Sequence, residues 1–202
     1  SGVVVSRSGL YVALLQNVKG RILRFRADHD TGRGSSAPLP LPANGTVSVS
    51  AANPHSSTVL VNYEDHITPD RLSEYDAGAN ALTLLKSLPP RFRSDELQVR
   101  QHMTKSADGE AVPYFVIHRK GLKLDGSTPT ILYGYGGFEI SLKPNYSATI
   151  GKLWLERGGA YAVANIRGGG EFGPRWHKAA LKTNRQRAYD DFIAVAEDLA
   201  RR

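Results

Sequence analysis

The chain of 202 residues contains no cysteine, one methionine and no long apolar run. Without cysteine there is no disulfide, no thiol nucleophile and no thiolate ligand for zinc, and the compartment stays open between cytoplasm and periplasm. No apolar stretch approaches the roughly 20 residues that a helix needs to cross a bilayer, so we expect no membrane partner. Hydrophobic residues make up 41% of the chain and charged residues 22%, which excludes wholesale disorder.

Positive charge exceeds negative charge, and the formal net charge is +7. Much of the excess lies in one segment that contains six basic side chains and a single acid, Glu171. The six are Arg167, Arg175, Lys178, Lys182, Arg185 and Arg187. This cluster is either a patch for an anionic partner or a solvated face. We favour the solvated face and expect no nucleic-acid partner, because no nucleic-acid-binding motif or series of stacking aromatics accompanies the charges.

Residues 1–96 contain short stretches of alternating apolar and polar residues, separated by turn sequences. This pattern predicts antiparallel hairpins. A shift of about 49 residues places Leu10–Val12 on Val59–Val61, with about four short strands in each repeat. A repeat of that length is typical of propeller blades, although a fragment of a β-sandwich has the same local pattern.

A proline-rich stretch, residues 89–95, is a predicted linker, and after it strands and helices alternate, which predicts an α/β layer. The predicted strands and helices are Leu97–Thr104, Tyr114–His118, Thr130–Tyr133, a helix over Tyr146–Arg157, Ala160–Ile166 and a last helix that contains Phe192–Leu199. Ala160–Ile166 is apolar throughout, as in a strand inside a parallel sheet. Asp190 and Asp191 are expected in the first turn of the last helix, where the helix dipole favours acids.

The segment Tyr133–Phe138, with the sequence YGYGGF, follows a predicted strand. Its glycines allow positive φ angles and close approach of a ligand, and its aromatic residues supply hydroxyl donors and an apolar wall. Because ligands bind at the carboxyl ends of strands in open α/β sheets, this loop is a candidate site. The alternative is a structural turn whose aromatic side chains complete the core.

A second glycine-rich segment, Gly168–Gly173, matches the pattern G-x-G-x-x-G of dinucleotide-binding turns. That fingerprint needs an acid at the end of the next strand, about 20 residues on, whereas Asp190 and Asp191 begin a predicted helix. A glycine-rich turn is therefore favoured over a nucleotide site. No histidine pair has the spacing of zinc ligands, and no metal site is predicted. The chain also lacks G-x-S-x-G, the turn that exposes the nucleophile of α/β-hydrolases.

Five motifs together closely resemble the prolyl oligopeptidase family of serine peptidases. They are YGYGGFEIS at 133–141, PNYS at 144–147, AVANIRGGGEFG at 162–173, WHK at 176–178 and DDF at 190–192. The resemblance is specific over residues 98–202 and weaker before them. It implies a mixed fold, with antiparallel β-propeller blades over 1–96. The N-terminal half of an α/β-hydrolase domain, a mostly parallel sheet with flanking helices, would follow over 97–202.

The same resemblance implies an enzyme that cleaves short proline-containing peptides on the carboxyl side of proline. Tyr135 matches the tyrosine whose hydroxyl donates to the oxyanion, and Phe138 matches an aromatic residue that lines the substrate pocket. The loop at Arg167–Gly173 and the segment Trp176–Lys178 also match motifs of the family and are expected to be structural only. No cofactor and no metal are implied, because acyl transfer by Ser, His and Asp needs neither.

In this family the serine turn, and then the Asp and His, follow the helix at the end of this chain. The 202 residues alone are therefore expected to be inactive. Three alternatives stay open: an oligopeptidase that cleaves after Arg or Lys, a noncatalytic homologue that acts as a binding module, and a nucleotide-dependent α/β enzyme. The oligomeric state is not predicted.

Overall fold

A computed structural model describes residues 2–27, 33–51 and 53–202, so His29 and the other residues of 28–32 lie outside the described part. The chain forms two compact units. The first comprises Ser1–Pro89 with Pro144–Tyr146, and the second comprises Pro90–Lys143 with Ser147–Arg202. Each unit is built around its own sheets and core.

The first unit contains two four-stranded antiparallel sheets, each with its strands in chain order. One sheet consists of β1 (Gly2–Ser6), β2 (Gly9–Gln16), β3 (Lys19–Ala27) and β4 (Gly34–Pro38). The other consists of β5 (Thr46–Ala51), β6 (Val59–Glu64), β7 (Arg71–Asp76) and β8 (Ala81–Ser87). Alternate residues of β2 and β6 are buried, as expected when one face of a strand packs on a core.

The two sheets share one hydrophobic core, in which Tyr11 and Tyr75 meet edge to face at 5.9 Å between ring centroids. Val59 and Val61 of β6 lie in the same cluster. The buried Arg24 side chain crosses from one sheet to the other, where it donates to the carbonyl oxygens of Ser8 and Ala77. Apolar burial and a satisfied cation therefore hold the sheets together.

The predicted repeat is present as two four-stranded sheets. The shift of 49 residues is wrong by one residue where it superposes β2 on β6. Tyr11 and Ala13 are the buried residues of β2, and Val59, Val61 and Tyr63 are those of β6. Equivalent buried positions in the two strands are therefore an even number of residues apart. An odd shift superposes a buried residue on one facing the other way, because side chains alternate along a strand.

The second unit contains a four-stranded sheet in the order β11-β12-β10-β9. Its strands are β9 (Leu97–Lys105), β10 (Ala111–Arg119), β11 (Thr130–Gly134) and β12 (Ala160–Ala164). The prediction of a mostly parallel sheet is wrong for the described residues, since only β11 and β12 pair in parallel. β9 and β10 form a hairpin, and β10 then lies antiparallel to β12. Seven consecutive residues of β10 are buried, which gives the apolar run that a strand with both faces covered shows.

Three α-helices occur in the second unit: α1 (Ala148–Leu153), α2 (Pro174–Lys178) and α3 (Gln186–Arg201). Short 3-10 turns at Leu155–Arg157 and Lys182–Asn184 accompany them. The helix predicted over Tyr146–Arg157 is thus shorter, because it begins after Ser147 and breaks at Trp154. None of these helices has the length and hydropathy that a membrane-spanning helix requires within the described residues.

α3 begins at Gln186, one turn earlier than Asp190 and Asp191 indicated. These acids therefore lie beyond the first turn, and the helix dipole does not explain them. The expected apolar face is present: Val195 is buried, and Phe192 and Leu199 pack against the sheet core. Asp191 lies on the buried side of the helix and has a polar partner there, described below.

Candidate functional site

The loop after β11 contains the two site residues predicted from the sequence. Both are accessible, since Tyr135 is 38% exposed and Phe138 is 83% exposed. The alternative interpretation, in which aromatic residues here complete the core, is therefore wrong for these two side chains and for Tyr133, which is 44% exposed. In the described part of the chain, the Tyr135 hydroxyl has no hydrogen-bond partner, so it is available to an incoming acceptor.

The backbone of this loop turns sharply through the left-handed region. Gly136 has φ 58°, as expected of a glycine, but Phe138 at 51° and Glu139 at 56° adopt the same region with side chains present. Such angles cost non-glycine residues of order 1–3 kcal/mol each and are concentrated at functional sites. Contacts from the rest of the unit must hold the loop in this shape.

The second glycine-rich loop, after β12, packs directly on the first. A Cβ at Gly168 would collide with the carbonyl of Gly136, and one at Gly170 would collide with the carbonyl of Glu139. Gly168 also has φ 98°, which disfavours any side chain there. Glycine is therefore required in this segment so that the two backbones can approach each other, and a phosphate-binding role is not needed to explain it.

An ion-pair network, buried at Arg167 and Asp191 and exposed at Asp108, fixes the start of the second loop. The Arg167 guanidinium donates to both carboxylate oxygens of Asp191 on α3, with Nη2–Oδ1 at 2.6 Å and Nε–Oδ2 at 2.9 Å. It also donates to Asp108, with Nη1–Oδ2 at 2.6 Å, and to Ser106 Oγ at 3.2 Å. Hydrogen bonds to Asp191 raise the pKa of Arg167, and the hydrogen bond from Arg167 lowers that of Asp108.

This network changes two interpretations of the sequence. Arg167 is buried and paired, so it does not belong to a basic surface patch. Asp191, the acid at the spacing of a ribose-binding residue, is fully buried against Arg167 and is not available to a nucleotide. Local sequence rules miss the network, because its acids lie 24 and 59 residues from Arg167 along the chain.

Hydrogen bonds of Glu171 and Asn165 connect the two loops. Both are buried, and Glu171 Oε1 accepts hydrogen bonds from the backbone N–H of Leu142 at 2.9 Å and from Asn165 Nδ2 at 3.4 Å. Burial raises the pKa of the Glu171 carboxyl, and these donors partly oppose that effect. Among the described residues, no three His, Asp or Glu side chains are grouped as metal ligands.

Two side chains that follow the second loop contact the first loop from the side. His177 on α2 lies beside the carbonyl oxygen of Gly168 and the backbone N–H of Glu139. Arg185 donates to the carbonyl oxygen of Gly136. The sequence indicated neither contact: His177 was only part of a motif, and Arg185 only part of a charge cluster. Together with Lys182, these side chains line a pocket beside Tyr135 and Phe138.

Adjacent parallel strands whose carboxyl ends both lead into glycine-rich loops place this unit among α/β proteins. Because one loop has exposed aromatic side chains, that edge of the sheet is the candidate ligand or active site. Comparisons with known proteins identify the class more closely. The sequence model of the prolyl oligopeptidase family matches residues 144–202. Over these residues the chain belongs to the prolyl oligopeptidase family.

Relatives and solved structures match nearly the whole chain. An uncharacterised peptidase of Sinorhizobium fredii, y4nA, is 49% identical over 98% of this chain and 27% of its own length. The prolyl endopeptidase of Elizabethkingia meningoseptica is 37% identical over 80% of this chain and 23% of its own length. A post-proline cleaving enzyme from Rickettsia typhi has a TM-score of 0.81 and 32% identity, covering 100% of this chain and 29% of that one. The chain thus spans less than a third of the length of these proteins.

Proposed function

We propose that this chain is part of a serine peptidase that cleaves short peptides on the carboxyl side of proline. The observation that carries the proposal is the loop after β11, where Tyr135 and Phe138 are exposed on a strained backbone at the carboxyl end of a strand. The names of the relatives support the same activity, since one is a prolyl endopeptidase and another a post-proline cleaving enzyme.

In this proposal Tyr135 donates its hydroxyl hydrogen to the oxyanion that forms when the scissile carbonyl is attacked. An oxyanion donor must be fixed in place and aimed at developing negative charge, and removing one typically costs about 10²–10³ in kcat. The absence of a partner for the Tyr135 hydroxyl within the described residues supports this role, because no protein acceptor competes there with the substrate.

Phe138 would provide apolar surface against the proline ring on the acyl side of the scissile bond. Its ring is among the most exposed apolar side chains of the described residues, and burial against a substrate would remove that area from water. The serine nucleophile and its His and Asp partners would come from other parts of the protein, because no G-x-S-x-G occurs in this chain.

The same proposal assigns the architecture. The two four-stranded antiparallel sheets of residues 1–96 would be blades of a β-propeller, and residues 97–202 would form the first half of an α/β-hydrolase domain. The strand order of the two antiparallel sheets and their repetition along the chain support the assignment to propeller blades. The parallel pair β11–β12 with its carboxyl-terminal loops supports the second.

The test compares kcat/KM of the complete protein for paired fluorogenic peptides that differ only in Pro or Arg before the scissile bond. We expect a large preference for Pro, and a drop in kcat of about 10²–10³ for Tyr135→Phe with a much smaller change in KM. Tyr133→Phe, on the strand just before the loop, is the matched control and should retain activity.

A preference for Arg would replace the proposal with a peptidase that cleaves after basic residues. No turnover of either peptide would favour a noncatalytic homologue that acts as a binding module. Full activity of Tyr135→Phe would remove Tyr135 from the oxyanion site while leaving the peptidase assignment intact.

A further inference from the structure

The Nδ1 atom of His177 lies within hydrogen-bond distance of two backbone groups of opposite character. It is 2.7 Å from the carbonyl oxygen of Gly168, which only accepts, and 3.1 Å from the backbone nitrogen of Glu139, which only donates. The Glu139 N–H also points to the same Gly168 oxygen at 3.3 Å. One ring nitrogen cannot accept from Glu139 and donate to Gly168 at the same time.

The distance of 2.7 Å between Nδ1 of His177 and the Gly168 oxygen indicates whether Nδ1 carries a hydrogen. If Nδ1 had no hydrogen, its lone pair would face the lone pairs of the Gly168 oxygen at 2.7 Å, with repulsion in place of a bond. If Nδ1 has a hydrogen, that distance is normal for a charge-free N–H···O bond at its short end. The Glu139 N–H then donates to the second lone pair of the same oxygen.

The position of His177 is fixed by contacts of its neighbour on α2, Trp176. The neighbouring residue Trp176 is buried, donates from Nε1 to the Ile166 carbonyl at 3.1 Å and packs edge to face on Phe172. This hydrogen bond attaches α2 to the backbone just after β12, where the second loop begins. An imidazole on this helix connects that strand end to the loop after β11.

The loop needs such a connection, because it includes consecutive left-handed residues at Phe138 and Glu139. The Glu139 N–H is the backbone donor that immediately follows Phe138. Fixing its direction fixes the peptide plane between Phe138 and Glu139, and hence the base from which the exposed Phe138 ring projects.

We propose that His177 is a positioning residue for the substrate loop, and that it acts as the tautomer with hydrogen on Nδ1. In this form it donates to the Gly168 carbonyl oxygen, which also accepts from the Glu139 N–H, and this shared oxygen keeps Phe138 in its strained conformation. The link to substrate binding rests on the proposed function, whereas the contact itself does not.

Three substitutions of His177 in the complete protein distinguish a positioned donor from simple filling of space. His177→Asn places an amide N–H close to the position of Nδ1, His177→Gln places it close to Nε2, and His177→Ala removes it. We expect Asn to retain the contact, and Gln and Ala to lose it.

The first readout is amide hydrogen exchange, by mass spectrometry, of a peptide that covers residues 135–141. We expect about tenfold faster exchange in His177→Ala and His177→Gln and nearly wild-type exchange in His177→Asn, as loss of one net hydrogen bond predicts. The second readout is steady-state kinetics. There we expect KM for the Pro peptide to rise about tenfold in Ala and Gln, with kcat changed less, and with rescue in Asn.

Equal behaviour of the three variants, in exchange or in KM, would overturn a directed hydrogen bond at the position of Nδ1. Wild-type exchange and wild-type KM in His177→Ala would overturn the positioning role altogether. If the wild-type protein hydrolyses neither peptide, the proposed function fails, and the exchange pattern alone still decides whether His177 holds the loop.

Discussion

At the scale of single residues, His66 is a buried titratable group of the first unit. Burial lowers its pKa from 6.5 to about 4, while the neighbouring Asp65 and a hydrogen bond with Asn145 oppose the shift. The folded unit therefore favours the neutral imidazole of His66, because protonation would create a buried positive charge.

The sign of the resulting pH dependence follows from the two pKa values. Between pH 6.5 and about 4 the unfolded chain binds a proton at this histidine and the folded unit does not. The free energy of unfolding should therefore fall as the pH falls through this window, with a contribution of up to about 1.4 kcal/mol per pH unit. Urea midpoints of His66→Gln and wild type at pH 6.5 and 4.5 measure this, and parallel losses in the two proteins would contradict it.

At the scale of secondary-structure elements, the Arg167–Asp191 pair joins the end of β12 to α3. Asp191→Asn keeps the shape of the side chain and removes its charge from a fully buried position. Removing one member of a buried pair costs about 3–5 kcal/mol. We expect the lower end, about 3 kcal/mol, because Asp108 still pairs with Arg167.

Native-state hydrogen exchange over residues 160–173 measures this loss as a lower free energy of local opening. Asp190→Asn is the matched control, since Asp190 lies one residue away, outside the buried pair, and accepts a hydrogen bond from Gln186 at 2.9 Å on the helix surface. That substitution should change stability by no more than about 0.5 kcal/mol. Equal effects at the two positions would show that the buried pair has no special role.

Local sequence patterns predicted the secondary-structure elements of this chain better than the long-range contacts between them. The apolar runs of β10 and β12 and the apolar face of α3 are encoded in consecutive residues, and all three elements form. The start of α3 was misplaced because two adjacent acids resemble a helix N-terminus, whereas Asp191 pairs with an arginine 24 residues earlier. No local rule shows a partner at that distance.

The same limit explains the loops. The sequence YGYGGF indicated positive φ angles, but it did not show that Phe138 and Glu139, rather than Gly134 or Gly137, would adopt them. That choice depends on contacts with Gly168 and His177, which come from a different loop and helix. The roles of Tyr135 and Phe138 stay predictions, because they depend on a substrate as well as on the fold.

At the scale of the whole molecule, the six clustered cations that contribute to the net charge of +7 are not all surface charges. Of the six clustered cations, Arg167 is buried in an ion pair and Arg185 donates to the Gly136 carbonyl. Arg187 donates to the Ala179 carbonyl and lies 3.8 Å from Asp108. Half of the cluster thus has structural partners among the described residues, and the absence of a nucleic-acid partner stays a prediction.

The last prediction concerns what the 202 residues can do by themselves. They include the proposed oxyanion donor and the apolar wall, but an acyl transfer also needs a nucleophile with an activating base, and no G-x-S-x-G provides one. An oxyanion donor stabilises the transition state only after a nucleophile attacks the carbonyl, so the donor alone cannot produce cleavage. We therefore expect no turnover of a fluorogenic Gly-Pro peptide above the buffer blank by the isolated chain.

The measurement uses the chain purified by size exclusion, assayed beside the complete protein at equal concentration and with the same peptide. Activity that elutes with the 22.0 kDa species would contradict the prediction and would require a nucleophile within these residues. Activity in the complete protein only, lost in Tyr135→Phe, would assign this chain the stabilisation of the transition state and leave bond cleavage to residues elsewhere.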